Sequence, residues 1–219
     1  FGRPSRITAE AFMGKPGIVN IEREAALSGQ THDKGVLILS GYLGRTFAQQ
    51  VPFGISISLT FEQSYGPVDG DSASSTELYV ILSSLADLPI RQGIAVTGSV
   101  NQKGQVQAIG GVNQKIEGYF DVCRQRGLNG YQGVMIPRAN LVNLMLKNDV
   151  VEAVQTGRFH IYQVADITQG IEILTGVAAG VPNGEGVYPA DTVYGRIQKK
   201  LQRFVKRGQA LKQGGGIWE

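Results

Sequence analysis

The stretch Ile94–Ile116, IAVTGSVNQKGQVQAIGGVNQKI, passes from an apolar strand through a polar turn into a second strand and then a helix. Ile94–Thr97 reads as a strand, Asn101–Gly104 as a hairpin turn, and Val106–Ile109 as the returning strand. The helix runs from about 112 to 126 and stops at Gly127, a residue suited to the position after a helix end. On a helical wheel Val112, Ile116, Tyr119, Phe120, Val122 and Cys123 form one broad apolar stripe, and Lys115 falls inside it. A lysine aimed at a core loses hydration, which disfavours the ammonium form. A neutral amine near pH 7 can accept a proton from a hydroxyl. The wheel alone leaves a second reading open, in which Lys115 snorkels out from the edge of the stripe.

Upstream, Ile55–Phe61 alternates strictly between apolar and polar residues, as a half-buried strand does. A Gly- and Asp-rich loop over 65–71 follows and ends in Gly70-Asp71-Ser72-Ala73-Ser74. Ser74 and Glu77 stand at capping-box spacing, and residues 78–82 are all apolar, so a deeply buried helix is expected there. Ser72 then sits on a strand-to-helix turn, where N–H groups of the first helical turn can face a developing oxyanion. Taken alone this is a weak signal, because serines cap many helices. His32 lies in a polar turn and His160 begins a late strand, with no motif around either. If Ser72 is activated, Lys115 is therefore a better base than either histidine. Cys123, mid-stripe, reads as a small buried core residue rather than a nucleophile.

Elsewhere, residues 1–16 read as a linker, 17–22 as a strand, and 36–39 as a buried strand after a polar turn at 31–35. A short helix is expected over 41–50, closed before Pro52. After the Lys115 helix come a strand at 134–136, a helix at 139–147, a strand at 159–162 and a helix at 166–174. The alternation indicates an α+β fold, a mixed sheet with helices mainly on one face. Gly180–Gly186 reads as a linker. Val193, Ile197, Leu201, Phe204, Val205 and Leu211 recur at helical spacing in a further region, 190–212.

The 219 residues suffice for one well-cored domain, and 42% apolar with 18% charged residues describes a globular protein. No apolar run approaches the roughly 20 residues that span a bilayer, and no signal sequence opens the chain. The start at Phe1 suggests a piece of a longer protein. A single cysteine excludes an internal disulfide and fits a reducing cytoplasm, and two distant histidines do not suggest zinc. The net charge of +3 is concentrated between Arg196 and Lys212, with seven basic residues and no acidic ones. Such a helix could meet nucleic acid or an acidic partner, but more often it packs its apolar face and leaves its lysines solvated. No Gly-x-x-x-x-Gly-Lys-Ser/Thr loop occurs, so this chain is not expected to hydrolyse ATP. Gly214–Glu219 is expected to be a flexible tail.

Thr97-Gly98-Ser99-Val100, then Gly104 through Gly111, then Lys115, resembles the lysine signature of the Lon proteolytic domain. Gly70-Asp71-Ser72-Ala73-Ser74 resembles its serine signature, and Ser72 and Lys115 are 43 positions apart, as in that family. Gly133-Val134-Met135-Ile136-Pro137 with Asn140 resembles a later family segment. The resemblance covers about residues 17–176 and is greatest to bacterial Lon-like proteins with a divergent AAA+ ATPase module. It implies a Lon-type proteolytic domain over 17–179, followed by a linker, basic helix and tail over 180–219. It also implies a catalytic dyad of Ser72 (nucleophile) and Lys115 (general base), acting on unfolded polypeptides in a homohexameric, cytoplasmic protease. Thr97 matches a threonine that supports the lysine, and Asp69 an acidic position of the serine loop. No cofactor is implied for this chain. ATP and Mg would belong to the AAA+ ATPase module upstream in the same protein. Two departures stand out: Asp71 and Ser74 flank the serine in a pattern closer to the archaeal proteins, and a histidine pair common in Lon is replaced around Ser58 and Thr60. The rival reading is a non-catalytic Lon-like ring scaffold of an ATPase acting on nucleic acid, although such domains typically lack the serine or the lysine.

Overall fold

The alternating stretch at 55–61 becomes β3 (Ser56–Glu62), whose inward side chains Ile57, Leu59 and Phe61 are buried. The computed structural model describes residues 2–15, 17–49 and 53–213, with side chains described to Ala210. β3 is the middle strand of a three-stranded sheet, antiparallel to β1 (Arg6–Phe12) and parallel to β2 (Gly17–Asn20). A second three-stranded sheet, all parallel, has the order β4 (Ile94–Val96), β7 (Gly133–Pro137), β8 (His160–Val164). Between β4 and β7 lies the hairpin β5 (Ser99–Val100) and β6 (Val106–Gln107). The helices are α1 (Ile21–Glu24), α2 (Gln30–Phe47), α3 (Ser74–Ala86), α4 (Val112–Arg126), α5 (Asn148–Gln155), α6 (Ile167–Thr175) and α7 (Val193–Gln213). The fold is α+β, with its strands divided between two sheets and a hairpin rather than gathered in one.

Helix α3 is the hub. Leu78, Tyr79, Ile81, Leu82 and Leu85 are fully buried, and the helix packs against β1, α2, α6 and α7. β7 separates two cores. Met135 points into the large core built on α2, β3 and α3, while Val134 and Ile136 point into a smaller one with α4 and α5, as strand alternation requires.

Several local expectations are corrected. The segment 36–39 is not a strand but the middle of α2: Val36, Leu39 and Leu43 are buried at helical spacing while Leu37 is 61% exposed. A four-residue apolar run does not by itself distinguish the two periods. Residues 6–12, expected as linker, form β1, and Ile7, Ala9 and Ala11 turn toward α3. Two alanines give little hydrophobic signal, yet their size lets the helix close on the strand, and the Ala11 N–H donates to the Ser84 hydroxyl at 3.1 Å. The helix expected at 139–147 is a 3₁₀ turn, Arg138–Asn143, followed by α5. α7 is part of the main body: Val193, Tyr194, Ile197 and Leu201 join the large core, and the Tyr194 hydroxyl lies 2.6 Å from that of Tyr42. Lys200 reaches the Ser84 carbonyl and Asp87. The expected end of the short helix at 50, and the tail 214–219, lie outside the described residues.

Candidate active site

The loop leaving β3 returns to the body at Ser72, just before α3. Its backbone is held from below by the turn that follows β4. The Gly98 N–H donates to the Ser72 carbonyl at 2.8 Å, and the Ser75 N–H donates to the Gly98 carbonyl at 3.1 Å. A Cβ at Gly98 would meet the Ser75 hydroxyl at 2.9 Å and Val106 at 3.0 Å, so this close approach depends on glycine. The capping box does not form. Ala73 is the N-cap and contributes no side-chain bond, Ser74 Oγ accepts from the Val100 N–H at 3.1 Å, and Glu77 turns into the interior. The serine thus ties the loop to β5 instead of capping its own helix.

Lys115 emerges from the first turn of α4, whose N-cap Gly111 has φ +68°. Val112, Ile116, Phe120 and Cys123 bury the apolar stripe, and the lysine at its edge is half-buried. Its Nζ lies 2.9 Å from Ser72 Oγ and 3.2 Å from Thr97 Oγ1. The Thr97 hydroxyl in turn donates to the Ser72 carbonyl at 3.3 Å. Burial lowers the Lys115 pKa, and the nearby Asp71 carboxylate opposes that shift. Asp71 accepts a hydrogen bond from the Ser99 hydroxyl at 2.8 Å. Asp69 lies further out. Its carboxyl is held below the ordinary value by the N–H groups of Gly70 and His32.

The structure thus brings Ser72, Lys115 and Thr97 together. It places neither imidazole on the serine: His32 is buried against Glu77, and His160 Nε2 lies 2.8 Å from the Gly130 carbonyl. Cys123 is buried in the smaller core with its thiol pKa raised by burial. The N–H groups of Ser74 and Ser75 are engaged by Asp71 and Gly98. Those of Ser72 and Ala73 have no bond to any described residue. Gly98 and Ser99 stand in the lysine signature, but their contacts, the staple to Ser72 and Ser75 and the bond to Asp71, are not legible in sequence, since contacts across a loop have no periodicity to betray them.

A profile of the Lon protease (S16) C-terminal proteolytic domain matches residues 48–175, more than half the chain and all of the elements that carry Ser72, Thr97 and Lys115. The chain belongs to the Lon proteolytic-domain family. A Lon protease homolog of Escherichia coli (strain K12) is 48% identical over 203 residues, covering 92% of this chain and 33% of that protein. One from Haemophilus influenzae is 44% identical, with 92% and 34% covered. The archaeal Lon protease of Thermococcus kodakarensis is 30% identical over 78% of this chain and 28% of its own length. This Lon domain spans about a third of the length of the curated relatives it matches. Among its described residues no helix is long and apolar enough to cross a membrane, and no cluster of three or more metal-binding side chains occurs.

Proposed function

We propose that this chain is the serine endopeptidase unit of an ATP-dependent Lon-like protease, in which Ser72 attacks the peptide carbonyl and Lys115 is its general base. The observation that carries this reading is the 2.9 Å separation of Lys115 Nζ and Ser72 Oγ, with the amine half-buried. A neutral amine has two N–H donors and one lone pair. Thr97 spends its own hydroxyl hydrogen on the Ser72 carbonyl, so toward Lys115 it can only accept. One amine N–H is drawn to Thr97, and the lone pair is free for the serine proton.

In that arrangement Lys115 takes the proton as Ser72 Oγ bonds to the scissile carbon. The oxyanion is received by the N–H groups of Ser72 and Ala73. The lysine ammonium then protonates the leaving amine, the acyl-enzyme forms, and Lys115 activates water for the second half-reaction. Nothing in this cycle needs a cofactor from this chain. In the whole protein, an upstream AAA+ ATPase module with ATP and Mg would deliver unfolded polypeptide to a cytoplasmic homohexamer. The basic face of α7 remains solvated in this reading and does not serve nucleic acid.

The test is hydrolysis of an unfolded protein and a fluorogenic peptide by the wild type, Ser72→Ala and Lys115→Ala. Both substitutions are expected to abolish turnover with unchanged circular dichroism. Equal background activity in all three, with the ring assembled, would instead establish a scaffold.

A further inference from the structure

Beneath the serine loop, three elements bury a polar cluster that the reaction above does not use. Glu77 sits in the first turn of α3 at 0% exposure, His32 in the first turn of α2 at 1%, and Glu22 in α1 beside its cap Asn20, both also buried. Glu77 Oε1 stands 3.4 Å from His32 Nε2, within ion-pair range but without hydrogen-bond geometry. Glu22 Oε1 accepts from the Thr60 hydroxyl at 2.8 Å and the Phe61 N–H at 2.7 Å. Both Glu77 oxygens, Glu22 Oε2, His32 Nε2 and Asn20 Nδ2 make no hydrogen bond among the described residues. The Phe61 ring closes edge-on over the imidazole at 5.6 Å.

His32 also holds the loop. Its backbone N–H donates to Asp69 Oδ1 at 3.3 Å, three residues before Ser72. Glu77 lies five residues after Ser72, so the pair grips both flanks of the nucleophile. A dry site does not tolerate two unpaired carboxylates. One proton on Glu77 turns an acceptor into a donor and supplies the missing bond to the imidazole or to Glu22.

We propose that Glu77 and His32 are positioning residues for Ser72: with Glu77 protonated the pair clamps the Asp69–Ser72 loop, and ionisation of Glu77 releases it. The inference rests on Ser72 being the nucleophile only for its effect on turnover. Burial, and then the charge of Glu22, push Glu77 up to about 8, and burial holds His32 below its ordinary value. The charged groups facing the imidazole are Glu22 from α1, Asp33 from α2 and Asp69 from the loop. An ionised Glu77 would add another carboxylate beside a ring that burial keeps neutral.

The experiment follows two readouts across pH 6–10 in the full chain: peptide turnover, and amide exchange of residues 69–75 corrected for intrinsic rates. Relative to Glu77→Gln, in which the rise from Lys115 deprotonation is the same, wild-type turnover is expected to fall away above about pH 8, approaching about tenfold per pH unit, with loop protection falling over the same range. Glu77→Gln keeps the shape of the protonated form. It should hold turnover near pH 7 within about threefold and lose the alkaline fall in both readouts, whereas Glu77→Ala lowers turnover throughout. The clamp also makes Glu77 a source of stability that is complete below the unfolded carboxylate value and is lost as pH rises through 8. The wild-type melting temperature should therefore drop over that range relative to Glu77→Gln. An alkaline limb unchanged in Glu77→Gln, or wild-type loop protection flat through pH 8, overturns the inference. Loss of Ser72-dependent turnover in the wild type would overturn the peptidase reading, leaving loop exchange to decide this one.

Discussion

The hydroxyl of Thr97 touches both partners of the candidate dyad, 3.2 Å from Lys115 Nζ and 3.3 Å from the Ser72 carbonyl. Its own backbone is fixed to the neighbouring strand through the Met135 carbonyl at 3.1 Å. Thr97→Val keeps the shape and removes the hydroxyl, so the amine loses the acceptor that orients it. We expect kcat to fall by about 10–100-fold with KM little changed, and Thr97→Ser to retain most activity. Steady-state kinetics decide the point; a loss expressed wholly in KM would contradict it.

Asp71 offers a test through pH. A general base works only when unprotonated, so turnover climbs as pH passes upward through the Lys115 pKa. Burial sets that pKa below the ordinary lysine value and Asp71 pulls it back. Asp71→Asn removes the opposing charge while its amide oxygen can still accept from Ser99. The acid limb of the pH–rate profile is expected to move to lower pH. A limb that stays put, or moves up, would mean that Asp71 does not act on the amine.

The parts of the site readable in sequence were those tied to a period. Lys115 stood out because a charged residue fell in an apolar stripe, and α4 forms over the expected residues. Gly127 stopped the helix as expected. What escaped was set by contacts between segments. Ser74 and Glu77 have the spacing of a capping box, but Ser74 is claimed by Val100 and Glu77 by the interior, and nothing local distinguishes these uses. β1 was hidden by alanines whose small size is what lets α3 approach.

Asn140 shows how such a contact carries load. Its side chain pairs with both backbone groups of Ile109, accepting from the N–H and donating to the carbonyl, each at 3.0 Å. It thereby replaces a missing strand neighbour just before the Gly110-Gly111 turn into α4. Asn140→Ala leaves both groups without partners and is expected to cost about 2–3 kcal/mol in urea unfolding. Turnover should also fall, since the turn sets where Lys115 emerges. Asn140→Asp, which sets a buried carboxylate oxygen against the Ile109 carbonyl, should cost at least as much at neutral pH. A loss below about 0.5 kcal/mol would show that water replaces the amide without penalty.

The contact between α3 and α6 yields a prediction whose sign is less obvious. Gly170 lies mid-helix, where alanine normally gains about 1 kcal/mol. Here a Cβ would overlap the Tyr79 hydroxyl and ring, so Gly170→Ala is expected to destabilise by about 1–3 kcal/mol. The Tyr79 hydroxyl is buried and has no hydrogen bond among the described residues, and burial drives its pKa upward. Removing it should therefore cost nothing, and Tyr79→Phe is expected to be neutral or stabilising by up to about 1 kcal/mol. The oxygen is the nearest atom to the added methyl, but ring carbons also lie within 3 Å, so the double variant should recover only part of the loss. A coupling of about 1 kcal/mol in denaturant unfolding is expected. Strict additivity would mean that α6 slides away from α3 rather than pressing on the ring.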